Sequence, residues 1–316
     1  MSDAAHLLIP FASSADRGCV EARRGLKLPA LEKLLARLGP VATDEGDDRS
    51  LSMPHERALA GHLGLGAPDG RIPWAAWQVA RSGGQAQGAW AWITPCHWNV
   101  GRDHIAMVHP QQLELSDDDS HVLLAAMQPY FEQDGIAFEY EGPTAWLARG
   151  DIFTGFASAS LDRVIGRVID PWLPRGTEAR SLRRLQQEMQ MLLYTHEVNE
   201  QRAARSLVPV NSFWVSGTGV LRTSRPAQAD ADLQIAQSLR EAALRQDWGA
   251  WASGWHQLDE GECARLLARL DRGEQVALTL CGERNARTFA GTGGGFFGKL
   301  ASSVRASRVA GILESL

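Results

Sequence analysis

The chain has 316 residues, a net charge of −5 and four scattered cysteines. A chain of this length buries a large core and divides into lobes, whereas its acidic balance argues against a nucleic-acid-binding protein, which needs a basic surface. No stretch reaches the ~18 consecutive apolar residues of a membrane helix, and the amino terminus has neither a basic start nor an apolar run of signal-peptide length. We therefore expect a cytoplasmic protein that does not contact a membrane.

The predicted elements of the amino-terminal half begin with a buried strand at 6–9 and a helix over 28–38, where apolar residues recur at helical spacing. A second helix begins at Pro54. Trp74 and Trp77 lie three residues apart, as on one face of a further helix. A compact α+β unit is then predicted from two strands, a helix that begins after Ser116 and two more strands, at 89–94, 104–110, 136–141 and 144–149.

The carboxyl-terminal half begins with a polar linker at 171–178 and the longest predicted helix, 180–206. A strand after Pro209 ends in Ser-Gly-Thr-Gly. Helices over 232–245 and 263–270 follow, with three tryptophans between them that we expect in the core. A strand is predicted over 275–281. The glycine-rich stretch 291–300 predicts a hinge before an amphipathic tail helix, which docks on its own fold or forms a homodimer with a second copy.

The candidate site lies around the break at Val208-Pro209. His196, Asn199 and Arg202 have a spacing of three residues, so their side chains converge if they share one helix. The following strand ends in glycines, and an open α/β sheet places its ligand at such a strand end because the backbone approaches closely there. An alternative is structural: Asn199 and Arg202 tie the helix end to the next loop and Asn211 closes a turn, since buried polar groups need partners. The residues expected to line the site are His97, Arg102, His196, Asn199, Arg202, Asn211, Ser212 and Thr218.

The same region carries a family resemblance. The patterns V-N-x-x-R, P-x-N-S-x-W and G-x-G, which begin at Val198, Pro209 and Gly217, are similar to a segment of the archaeal-type cofactor-independent phosphoglycerate mutases of the alkaline phosphatase superfamily. Weaker similarity runs through most of the chain and resembles a proteobacterial group labelled phosphoglycerate mutase-like or Rpf-cluster regulatory protein. His97, Arg102 and Asp103 match that group's pattern, whereas Cys96 does not, and the usual second Trp-Gly after Trp214 is missing.

The resemblance implies an α/β fold with an alkaline phosphatase-like mixed sheet flanked by helices. Residues 1–88 and 179–316 would form the main lobe, and 89–170 an inserted, smaller α+β lobe. It also implies a centre of two metal ions held by aspartates and histidines, yet the only histidine beyond Gly219 is His256, and no acidic residue follows the first strand directly. We therefore expect no metal site and no cofactor.

Three functional hypotheses follow. The first is a catalytically degenerate, mutase-like protein that keeps a regulatory role by binding a small anionic ligand, in which Arg102 and Arg202 hold the anion and Asn199 and Asn211 orient it. The second is an active phosphoglycerate mutase or phosphohydrolase, with His97 or His196 as base and a nucleophile among Ser13, Ser14, Ser212 and Ser216. The third is a protein-interaction module that uses the tail helix and exposed tryptophans.

Overall fold

The computed structural model of the protein describes residues 4–177, 179–222, 232–292 and 306–316. Its strands are β1 Ala5–Ile9, β2 Gly39–Asp44, β3 Ala89–Cys96, β4 Trp98–Val100, β5 Ile105–Met107, β6 Ala137–Gly142, β7 Ala145–Arg149, β8 Ser212–Val220, β9 Leu233–Ile235, β10 Gln275–Cys281 and β11 Ala286–Thr292. Its α-helices are α1 Arg17–Arg23, α2 Pro29–Arg37, α3 Pro54–His62, α4 Trp74–Arg81, α5 Asp117–Glu132, α6 Leu161–Val164, α7 Arg180–Tyr194, α8 Glu197–Ala204, α9 Arg240–Leu244, α10 Trp248–Leu258, α11 Ala264–Asp271 and α12 Ala306–Glu314.

The described residues form two compact units. Unit 1 contains those within 1–48, 53–63 and 227–316, and unit 2 those within 49–52 and 64–226. This division differs from the predicted lobes, since it assigns 64–88 and 179–222 to the same unit as 89–170. The physical reason is strand pairing: β8 pairs with β3 along its length, and α4 packs against both strands.

Unit 1 is built on a mixed five-stranded sheet in the order β2-β11-β10-β1-β9. Strand β1 is parallel to β10 and β9, whereas β11 is antiparallel to its two neighbours. Helices α3 and α11 pack on the sheet, and β1 is almost wholly buried because its AHLLI sequence is apolar. The predicted fold class, a mixed α/β sheet flanked by helices, is confirmed.

Unit 2 contains an antiparallel four-stranded sheet in the order β6-β7-β3-β8. Its main core lies between this sheet and the helices α5 and α7, with Phe131, Trp146 and Phe213 fully buried there. We expected β8 to end at the ligand edge of an open α/β sheet, and this is corrected: β8 is antiparallel to β3, so the rule for parallel strand ends does not apply to it.

Two predicted helices are also corrected. The single helix over 180–206 is two helices, α7 and α8, because the His196 side chain caps a new helix by accepting from the Val198 backbone N–H at 3.2 Å. The predicted helix over 232–245 contains strand β9 and the short α9 instead. Its first apolar residues alternate and pair with β1, which lies far away in sequence.

The core role predicted for the tryptophans is confirmed for Trp251 and Trp255, which are fully buried on α10. Trp248 is half-buried. In the tail, Ile312 and Leu313 are buried and α12 packs against α2 of unit 1. Most of the predicted hinge at 291–300 lies outside the described residues, and the homodimer stays a prediction. Among the described helices, none combines the length and apolar character needed to span a membrane.

Candidate functional site

Four of the predicted site residues meet around the segment Val208–Asn211. The Asn199 amide donates to Val210 O at 2.7 Å and to Leu193 O at 2.8 Å, and accepts from Val210 N at 2.9 Å. His97 donates from Nδ1 to Pro209 O at 2.8 Å, since a carbonyl oxygen only accepts. The Asn211 amide pairs with both backbone groups of Trp98, at 2.7 and 3.0 Å. The chain itself is therefore the partner of these side chains.

Arg202, the fourth member, is fully buried. Its guanidinium group donates to Val208 O, to Leu113 O and, at 2.8 Å, to the Asp119 carboxylate. Buried charges are stable only when they are paired and hydrogen-bonded in this way. This geometry matches the structural alternative stated above for Asn199 and Arg202, and each Arg202 nitrogen is already used within the chain.

The other predicted residues lie in different surroundings. Arg102 is exposed on the loop between β4 and β5, and His196 is the helix cap described above. Ser212 is buried, and within the described part of the chain its hydroxyl has no hydrogen-bond partner. Cys96, opposite Ser212 in β3, is buried too, and burial raises the pKa of its thiol. A ligand role for these residues stays a prediction.

The glycine end of β8 is shaped by a β-bulge. Between the pairs Trp92–Ser216 and Trp90–Gly219, β8 has one residue more than β3. Gly217 supplies the left-handed conformation that such a bulge requires, with φ of +61°. Gly219 has φ of +144°, and a Cβ there would lie 3.1 Å from Arg71 O. The close approach expected at these glycines does occur, and the segment that approaches Gly219 is the loop that carries Arg71.

A cavity of ≈ 310 Å³ lies beside this end of β8 in unit 2. Its walls come from three segments: the loop after α3, the turn 153–156 and the residues that follow Gly219. The lining residues are Gly64, Leu65, Gly66, Ala67, Pro68, Arg71, Pro73, Phe153, Thr154, Phe156, Gly219, Val220, Leu221 and Arg222.

Thr218 joins these walls, although it does not line the cavity. It is fully buried, and its hydroxyl lies 2.7 Å from Phe156 O and 3.3 Å from Gly70 O. Because a hydroxyl has one hydrogen, it donates to the nearer Phe156 O and accepts from Ser158 Oγ at 3.1 Å. Gly70 O also accepts from Ser158 N at 2.9 Å. The predicted site residue Thr218 thus holds the cavity walls in place.

The cavity has a positive electrostatic character. Arg71 and Arg222 line it, both are exposed, and neither guanidinium forms an ion pair or hydrogen bond with another described residue. The described lining contains no carboxylate. The nearby Asp69 does not line the cavity, and its carboxylate accepts hydrogen bonds from the backbone N–H groups of Leu51 and Ser52 at 2.7 and 2.8 Å.

Backbone donors add to this character. In the described structure, the N–H groups of Leu65, Gly66 and Ala67 form no hydrogen bond. Successive unpaired backbone N–H groups are a recurrent feature of anion sites. Two unpaired arginines on the walls of one cavity, next to a segment with unpaired backbone N–H groups, make it suited to an anion.

Sequence reasoning missed Arg71 and Arg222. Each has a local signal, since Arg222 comes three residues after Gly219 and Arg71 follows the turn residues Asp69-Gly70. A single arginine after a turn is common on protein surfaces, however, and nothing in the sequence connects two arginines that are 151 positions apart. The close contacts of Thr218 and Gly219 with residues 70–73 bring the two segments together.

The four candidate nucleophiles of the enzyme hypothesis are serines in different surroundings. Ser13 accepts from the Arg23 guanidinium at 2.6 Å, and Ser14 donates to Glu283 at 3.0 Å. Ser212 and Ser216 are buried. Within the described ranges no hydroxyl of these four is hydrogen-bonded to a histidine, and no three His, Cys, Asp or Glu side chains are grouped as metal ligands.

In comparisons with known proteins, no protein-family model and no curated protein matches the sequence. The solved structures that match include the following two. A cofactor-independent phosphoglycerate mutase from Thermoplasma acidophilum has 14% identity and a TM-score of 0.38, over 99% of both chains. The PH0037 protein from Pyrococcus horikoshii has 12% identity and a TM-score of 0.45, over 93% of this chain and 89% of that one. At these values neither likeness carries an argument about substrate, metal or reaction.

Proposed function

We propose that this protein binds a small anionic ligand without a metal ion and has a regulatory role. The observation that supports it is the cavity at the glycine end of β8, where Arg71 and Arg222 are unpaired among the described residues and no described lining residue is acidic. An arginine without a protein partner at a concave site is available for a carboxylate or phosphate, which it binds through paired hydrogen bonds.

This proposal moves the anion away from Arg202. That side chain is fully buried, and its guanidinium nitrogens donate to Asp119 and to two carbonyl groups. An incoming anion would have to displace those partners and leave them unpaired, at a cost of about 1–3 kcal/mol each. An anion that binds Arg71 and Arg222 displaces no described partner of either guanidinium group, so this cost does not arise. The regulatory role and the mutase-like ancestry rest on the sequence resemblance at Val198–Gly219.

A thermal-shift screen tests the proposal. EDTA-treated protein is heated with inorganic phosphate, phosphoglycerates and nucleotides, because a ligand that binds only the folded state raises its stability by mass action. We expect a concentration-dependent rise in Tm that disappears in the double variant Arg71→Ala/Arg222→Ala. The matched control is Arg24→Ala/Arg180→Ala, which removes the same charge from two exposed side chains that have no described partner and should keep the rise.

Two further arms separate the alternatives. If Arg102→Ala removes the rise while the Arg71/Arg222 variant keeps it, the ligand lies at the loop predicted from the sequence, and the cavity proposal is wrong. If the protein interconverts 2- and 3-phosphoglycerate with Mn²⁺ and loses that activity in EDTA, the enzyme hypothesis replaces the binding protein.

A further inference from the structure

We propose that the ligand of this cavity is an amphipathic organic anion: a phosphate or carboxylate head with a short alkyl or aryl body. The proposal rests on the anion-binding function given above and specifies the chemical class that the site accepts.

In the lining of the cavity, charged and apolar side chains form separate groups. The positive side chains, Arg71 and Arg222, are exposed and stand at the solvent side. Pro68, Val220 and Leu221 also line the cavity, and each keeps part of its apolar surface exposed to solvent. A free inorganic ion would use only the first group. An apolar body attached to the anion would also contact the second, and such contact is favourable in proportion to the apolar area removed from water.

The volume of the cavity limits the size of the ligand. A cavity of ≈ 310 Å³ is at the lower end of the range for small-molecule sites. Since each water occupies about 30 Å³ in the liquid, it holds about ten non-hydrogen atoms. A phosphate group takes up about half of these, so the remaining space fits a body of about five or six carbons.

The apolar wall of the cavity is held in place by contacts within unit 2. Phe156 is fixed through its carbonyl by the Thr218 hydroxyl at 2.7 Å, and Phe153 packs in the unit 2 core. Val220 and Leu221 are half-buried at the end of β8. A preformed apolar surface needs little ordering when a ligand binds, so its contacts contribute to affinity.

The test is a homologous series measured by titration calorimetry at constant ionic strength: inorganic phosphate, then methyl, butyl, hexyl and decyl phosphate. We expect the affinity to rise by up to about fourfold per methylene group as far as the hexyl compound. The decyl compound should gain little more, because the cavity is then full. Hexanoate should bind as well, more weakly than hexyl phosphate because it carries less charge.

A near-isosteric variant examines the wall directly. Val220→Thr keeps the shape of the side chain and adds a hydroxyl, so it should weaken the dependence on chain length and leave phosphate binding unchanged. Val122→Thr on α5, where the side chain is 48% exposed, is the control and should change neither. Circular dichroism of both variants verifies that they are folded.

The outcomes distinguish a failure of the amphipathic ligand class from a failure of anion binding itself. If phosphate binds and the alkyl chain adds no affinity, the amphipathic ligand class is wrong while anion binding stands. If no member of the series binds, the anion-binding function itself fails. An affinity that grows with chain length equally in Val220→Thr would place the chain outside this cavity and overturn the inference.

Discussion

The Thr218 hydroxyl donates a hydrogen bond of 2.7 Å to the Phe156 carbonyl. This contact joins β8 to the turn that forms one wall of the cavity, and the same hydroxyl lies 3.3 Å from Gly70 O on the neighbouring loop. Thr218 lies next to Gly217 in the bulge of β8 and is fully buried. Thr218, for which the sequence predicts a ligand contact, thus supports a wall of the cavity in which we propose that the ligand binds.

Replacing Thr218 by Val should therefore destabilise the protein by about 1–3 kcal/mol, because the shape is kept while a buried carbonyl loses its donor. Urea unfolding measures the loss. Thr43→Val on the exposed strand β2 is the control and should stay within about 0.5 kcal/mol of the wild type. Equal unfolding midpoints for Thr218→Val and the wild type would contradict the role of this hydroxyl.

Two arginines that share one carboxylate provide a matched pair. Arg202 and Arg205 each lie 2.8 Å from Asp119 Oδ2, but the Arg202 side chain is 0% exposed and that of Arg205 is 50% exposed. Arg202→Ala should cost about 3–5 kcal/mol, since it leaves buried acceptors unpaired. Arg205→Ala should cost less than about 1 kcal/mol, because an exposed ion pair is screened by solvent. If chemical denaturation showed similar losses of stability for the two variants, the buried contacts of Arg202 would not stabilise the fold more than an exposed ion pair does.

His6 predicts a pH dependence of stability in unit 1. Burial, and secondarily the charge of His62, lower the pKa of His6 from 6.5 to about 4. Its Nε2 atom lies 2.8 Å from Thr279 Oγ1, and the two imidazole rings are 5.1 Å apart. The unfolded chain therefore takes up the proton first, so this contribution to stability is complete above pH 6.5 and is lost as the pH falls towards 4.

His6→Asn, which cannot titrate, should lose less stability than the wild type between about pH 7 and pH 4, by at most about 3 kcal/mol. The measurement is urea unfolding at a series of pH values. His256→Asn, at an exposed position, should follow the wild-type curve. A His6→Asn curve parallel to that of the wild type would show that His6 is not neutral in the folded state at these pH values.

Gly282 predicts the effect of overpacking near the tail. A Cβ at this position would lie 2.4 Å from Leu316 Cβ and 2.7 Å from its carbonyl carbon. Gly282→Ala should therefore destabilise unit 1 by about 1–3 kcal/mol. Gly61→Ala on α3 meets no atom within 4 Å and should instead stabilise by about 0.5–1 kcal/mol, because alanine favours a helix. Tm values of the two variants that move in the same direction would contradict this packing.

Local patterns in the sequence predicted the elements that depend on local signals. The predicted helix at 28–38 corresponds to α2, and the predicted strand at 275–281 is β10, because each has a clear apolar period and a defined end. The division at His196 was missed because an imidazole seldom caps a helix. The pairing of β8 with β3 depends on contacts more than a hundred residues apart, which no local pattern encodes.

The candidate site shows the same limit. Polar residues spaced along one segment identified the cluster at Asn199, Arg202 and Asn211, but spacing does not distinguish a side chain that binds a ligand from one that binds its own backbone. The arginines of the cavity come from two separate segments, so their proximity follows from the fold. The glycine signal at 217–219 was informative, since those residues do permit a close backbone approach.

The most direct test of the account is a crystal structure of the protein with hexyl phosphate. We predict that the phosphate group lies within hydrogen-bond distance of Arg71 and Arg222, with the alkyl chain against Pro68 and Val220. Density for the ligand beside His97 and Arg102, with the β8 cavity empty, would contradict it.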